Sequence, residues 1–138
     1  MRFMMLMIPK GYESAEAGTL PEDLERFDSM MAFNRKLQDS GALLVAEGLY
    51  PPADGARVSF ATGKPVVTDG PFAEAKEVIG GFWLIEVASL EEAIGWARQC
   101  PASTDETIEI RRVMEVEDFS TQAQAVVEGF ADMQRHRA

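Results

Sequence analysis

FWLIEVASLEEAIGWARQCP, residues 82–101, decides how this chain folds. Its first seven residues read as a strand. Phe82 and Leu84 point to one side, while Trp83, Ile85 and Val87 point to the other, so both faces are apolar. Ser89 and Glu92 then take the paired positions of a capping box. Leu90, Ala93, Ile94 and Ala97 recur at helical spacing, and Pro101 closes the helix. A strand with two apolar faces must lie in the interior of a sheet. The helix that follows must pack on that sheet.

The same unit, an apolar strand and then a capped helix, stands at the start of the chain. Residues 3–8 are an unbroken apolar run ended by Pro9, and residues 9–18 read as a loop. In TLPE, Thr19 is the expected cap, Pro21 fits the first turn and Glu22 completes a box. Leu24, Phe27, Met31 and Leu37, widened by Met30 and Phe33, form the predicted apolar stripe, and Gly41 stops the helix. Residues 43–50 read as a second strand ended by Pro51-Pro52. Residues 57–61 and 65–68 flank Thr62-Gly63-Lys64, a hairpin signal. Residues 107–116 alternate Ile108, Ile110 and Met114 against Glu109, Arg111 and Glu115, as in a half-exposed strand.

The order is strand, helix, strand, inserted hairpin, strand, helix, strand. That is the split βαβ pattern of a ferredoxin-like α+β sandwich, with the two doubly apolar strands central. Two helices cover one face of a four-stranded sheet, so the other face needs a cover of its own. A second copy of the chain is the simplest one, which predicts a homodimer joined sheet to sheet as a dimeric α+β barrel. Residues 1–116 would form this domain, and 117–138 an extra helical extension. In the extension, Ala123, Val127, Phe130 and Met133 have helical spacing, and Arg135, His136 and Arg137 suit the negative end of a helix dipole.

The 138 residues carry 23 acidic and 13 basic side chains, a net charge of -10. Such a chain repels phosphate backbones, so a direct nucleic-acid partner is not expected. Cys100 is the single cysteine, so no internal disulfide can form. No apolar run approaches the roughly 20 residues of a membrane span, and the short run at the start lacks the features of a signal peptide. A cytoplasmic protein is the expectation.

Few residues carry familiar chemistry. The one histidine, His136, sits three residues from the end, without a partner to position it. Cys100 has no second cysteine nearby for a zinc-type site, and no loop shows calcium-site spacing, so no metal or cofactor is expected. Gly80-Gly81 precedes a strand, the reverse of a phosphate loop, and reads as a close approach of another backbone. The methionines at 1, 4, 5, 7, 30 and 31 read first as adaptable core, and second as the lining of a pliable pocket. There remains VVTDGPFAEAKEVIGG, residues 66–81, with Asp69, Glu74, Lys76 and Glu77 around a Gly-Pro turn. They form either a solvated turn or an acid–base cluster whose neighbouring charges push their pKa values apart.

The Asp-Gly-Pro-Phe-Ala-Glu-x-Lys-Glu run resembles the signature of YCII-related proteins of the DGPF type. RFMMLMI, GALLVAEGLYP, EEAIGWARQCP and IEIRRV resemble that family's first strand, second strand, second helix and last strand. Arg112 replaces a common proline, and Glu106 lies near a usual glycine. The resemblance implies a ferredoxin-like, dimeric fold. It also implies a link, in many members, to extracytoplasmic-function sigma factors. Smaller relatives carry a histidine–aspartate pair suspected of acid–base catalysis, and this chain has no matching histidine.

Two functions follow. The chain is a small-molecule-binding dimer, in one version an acid–base enzyme of isomerase, lyase or dehydratase type. Asp69, Glu74 and Lys76 are then the catalytic candidates, and Glu47, Phe72, Glu77 and Arg111 the ligand contacts. Alternatively, it is a non-catalytic regulatory partner of a sigma-factor-related protein.

Overall fold

The computed structural model of the protein describes residues 1–134. Strand β1 (Arg2–Pro9) is followed by helix α1 (Leu24–Asp39), β2 (Leu43–Gly48), the hairpin strands β3 (Ala56–Ser59) and β4 (Val66–Asp69), and β5 (Gly81–Glu86). Then come α2 (Leu90–Arg98), β6 (Glu106–Arg112) and two short helices, α3 (Thr121–Val126) and α4 (Phe130–Met133). Four strands form one sheet in the order β2-β5-β1-β6, every pair antiparallel. This is the ferredoxin-like α+β fold, and its two central strands are the doubly apolar ones, β1 and β5.

One face of the sheet meets the helices. Phe3, Met5 and Met7 of β1 lie there beside Trp83, Ile85 and Val87 of the neighbouring strand, all buried. Phe33 and Leu37 of α1 and Ala93 of α2 close the core over them. The Phe33 and Trp83 rings meet edge to face, with centroids 5.7 Å apart. Ser89 caps α2 as its sequence predicts, accepting the Glu92 N–H, while the Glu92 carboxylate reaches back to the Ala88 N–H.

On the opposite face the register builds two rows. Glu47, Phe82, Leu6 and Glu109 lie side by side, and so do Val45, Leu84, Met4 and Arg111. The four inner side chains are apolar and half-buried, and Glu47, Glu109 and Arg111 put charges at three of the four edge positions, with Val45 at the fourth.

Three details differ from the sequence reading. Asp23, not Thr19, caps α1, because the Asp23 carboxylate accepts the Arg26 N–H, whereas the Thr19 hydroxyl donates back to the Glu16 carbonyl within the preceding turn. Leu24, Phe27 and Met31 are exposed; Phe27 lines a cavity beneath the first half of α1, and the buried residues of the helix, Phe33 and Leu37, lie in its second half. Strand β6 ends at Arg112, which leaves Met114 exposed beyond it. The C-terminal extension is helical in two pieces, since Gly129 between them adopts φ +89°. Arg135, His136 and Arg137 lie outside the described residues.

Candidate functional site

A cavity of about 660 Å³ lies between the first half of α1 and the ends of β1, β2 and β5. Helical periodicity builds one wall. Arg26, Met30 and Asn34 follow one another at i, i+4 and i+8, so they line the cavity while Phe33 and Leu37 face the core. Met7, Ala46 and Trp83 form the floor. Tyr12, Leu20 and Leu49 come from the surrounding loops.

Gly81 belongs to this floor for a steric reason. A Cβ there would come within 2.9 Å of the Glu47 carbonyl oxygen on β2. The double glycine thus marks a close backbone approach, as expected from its place before a strand.

The polar groups are few and held. Arg26 and Glu106 form an ion pair through one guanidinium nitrogen, Nη2, and Ser103 donates its N–H to the same carboxylate. Burial by itself would raise the pKa of Glu106. The hydrogen bonds from Arg26 and Ser103 outweigh it and hold the carboxyl below its ordinary value. The hydrogen bond that Arg26 donates to Glu106 likewise raises the pKa of Arg26. Trp83 donates its Nε1–H to Asn34 Oδ1 at 2.8 Å. The Tyr12 hydroxyl donates to the Leu49 carbonyl at 2.6 Å, and burial raises its pKa. Beside the ion pair, burial and then the Glu106 charge push the Cys100 thiol up to about 11, so it stays protonated and unreactive. The described residues contain no group of three or more His, Cys, Asp or Glu side chains placed to hold a metal ion.

The residues singled out from sequence fall in three places. Glu47 is the one of them on the cavity wall, with its side chain on the open-face row of Phe82. Arg111 lies on that same face, 3.4 Å from Glu109. Asp69, Phe72, Glu74, Lys76 and Glu77 belong to the hairpin and the turn after it, away from the cavity lining. Among the described residues Asp69, Glu74, Lys76 and Glu77 form no ion pair with one another, and all four are exposed.

The Gly-Pro turn locks the base of the hairpin. The Gly70 N–H donates to the Gly55 carbonyl, and a Cβ on Gly70 would overlap the Pro52 carbonyl oxygen at 1.6 Å. Phe72 packs under Arg57, whose guanidinium carbon lies 4.0 Å from the ring centre.

The sequence reading did not single out Arg26, Asn34 and Glu106. Their signal was a polar side chain on the inner side of an amphipathic element, at i and i+8 of α1 and at the first position of β6.

Residues 1–117 match the YCII-related domain, and the chain belongs to that family. The chain is also similar to an uncharacterised protein of Rhizobium meliloti (strain 1021). The two are 39% identical over 87 residues, covering 62% of this chain and 70% of the relative.

Proposed function

We propose that this YCII-family protein binds a small, largely apolar organic molecule in the cavity beneath α1, and does so as a homodimer of the DGPF type. The observation that carries the reading is the cavity itself. Its volume lies in the range of small-molecule sites, and it has apolar and aromatic walls with a few fixed polar groups. The apolar centre and charged rim of the open sheet face support the second copy.

The acid–base version of this reading assigns proton transfer to Asp69, Glu74 and Lys76, with Glu47, Phe72, Glu77 and Arg111 as ligand contacts. Of these, Glu47 alone lines the cavity in its own chain, so this version needs the partner copy to bring the others to it.

The test is a thermal-shift screen of small acids, ketones and ring compounds on the wild type and on Met30→Trp, which fills the cavity. Compounds that raise the wild-type Tm by mass action and leave the variant unmoved support the reading. A screen without hits, or hits that stabilise both proteins alike, rejects it.

A second reading rests on the hairpin. Val58 and Val67 pair across the hairpin on one face, Phe60 follows directly after β3, and all three are exposed, at 51%, 66% and 69%. An uncovered apolar face suits a protein contact, here a sigma-factor-related partner. Loss of that partner's capture on Val58→Ser/Val67→Ser, with the cavity ligand still bound, would favour this reading over the first.

A further inference from the structure

Hydrogen-bond chemistry at the cavity wall defines what its ligand must carry. Indole Nε1–H is a donor and never an acceptor. Its 2.8 Å bond to Asn34 therefore fixes the orientation of that amide, with the oxygen toward Trp83. The Asn34 NH2 group then remains as its free polar end, on a residue that lines the cavity, and it has no hydrogen-bond partner among the described residues. About two turns away on the same helix face, Arg26 spends Nη2 on Glu106 and keeps its Nε and Nη1 hydrogens.

The acceptors of the inner wall are already committed. Both Glu106 oxygens are held by Arg26 and Ser103, and the Leu49 carbonyl is held by Tyr12. The other carboxylates of the lining lie off this wall: Asp23 caps α1, and the Glu47 side chain belongs to the open-face row of Phe82. Along the Asn34–Arg26 wall the open hydrogen-bonding capacity is thus donor capacity, set in apolar surroundings where an unmatched polar group is costly.

We infer that the cavity selects a flat, apolar molecule bearing a carbonyl or carboxylate oxygen, and that Asn34, held by Trp83, is the specificity-determining donor to that oxygen. The inference rests on the proposed ligand-binding role of the cavity and adds the chemistry of the ligand. Asn34 is a binding residue in this scheme, with no part in bond making.

Four probes on one bicyclic frame test it: 1-indanone, indane-1-carboxylate, indane and 1-aminoindane, titrated calorimetrically at pH 7.5. The ketone and the carboxylate should bind about tenfold tighter than indane, the fold-change of one neutral hydrogen bond in an apolar site, and the amine should bind most weakly. Asn34→Asp keeps the oxygen that accepts from Trp83 and removes the NH2 donors. In that variant the ketone should lose about tenfold and the carboxylate more, indane should not change, and the amine should gain. The Trp83 indole N–H resonance should stay in place in Asn34→Asp and move in Asn34→Leu, which shows that the variant alters the donor and not the fold.

Equal binding of all four probes to both proteins overturns the donor role of Asn34 and leaves a ligand cavity standing. Tightest binding of the amine to the wild type overturns it too. Failure of every probe to bind either protein removes the cavity reading, and this inference with it.

Discussion

Glu106 shows how one side chain links the site to the stability of the chain. It stands at the first position of β6, accepts from Arg26 on α1, and receives the Ser103 N–H. Its folded-state pKa lies below the ordinary 4.5. A carboxyl depressed by folding contributes stability that is complete above its unfolded pKa and is lost as pH falls through the folded value. The wild type should therefore lose stability as pH falls below about 4.5, by an amount that Glu106→Gln no longer shows. At pH 7 the same variant strips Arg26 of its countercharge and should cost about 1–3 kcal/mol. Urea melts of both proteins between pH 3 and pH 7 check the two claims together. Parallel pH curves would show that the ion pair carries none of the acid sensitivity.

At the scale of the element, the hairpin and α1 mark where the sequence was readable and where it was not. Strands β1 and β5 announced themselves because burial on both faces leaves no polar position, and the register confirms their central places. The Ser89 cap was equally plain, because its effect is local. Helix α1 was harder. Thr19 and Asp23 both have capping chemistry, and the loop that folds over the cavity mouth, not the helix, settles which is used. The DGPF turn attracted attention through its charges, yet its most constrained atom belongs to a glycine. Nothing in sequence spacing shows that the Pro52 carbonyl lies against Gly70. The cavity residues were obscured for a similar reason: Glu106 is far in the chain from Arg26 and Asn34 on α1, and joins their wall only when β6 comes beside β1. Gly70→Ala should therefore cost about 3 kcal/mol at the base of the hairpin, through overlap with a backbone oxygen that cannot swing away. Amide exchange in β3 and β4 should speed up while that of β1 and β5 stays slow. Equal protection in both proteins would show that the turn can shift without loss.

At the scale of the whole molecule, the open sheet face is where the proposed second copy would sit. Four strands about 4.8 Å apart and six residues long present a footprint of only about 400 Å². A standard interface removes about 800 Å² of accessible surface from each partner. Corrugation by Met4, Leu6, Phe82 and Leu84 raises the area buried above the footprint, but the sheet alone stays near the lower limit. The hairpin supplies what is missing. Val58 and Val67, with Phe60 just beyond β3, are apolar side chains that their own chain leaves open, and a two-stranded hairpin is marginal without such cover. In the proposed dimer the sheet would be the centre and the hairpin the outer arm. Leu6→Arg, which places a charge in the middle of the apolar row, should give a folded monomer at every concentration reached in light scattering. Val58→Ser/Phe60→Ser/Val67→Ser should still dimerise, with a Kd raised about 10- to 100-fold, the result of losing about 1.4–2.7 kcal/mol of apolar contact. If the triple variant dimerises as tightly as the wild type while Leu6→Arg is monomeric, the hairpin is free for another partner. If Leu6→Arg stays dimeric, the open face is not the interface.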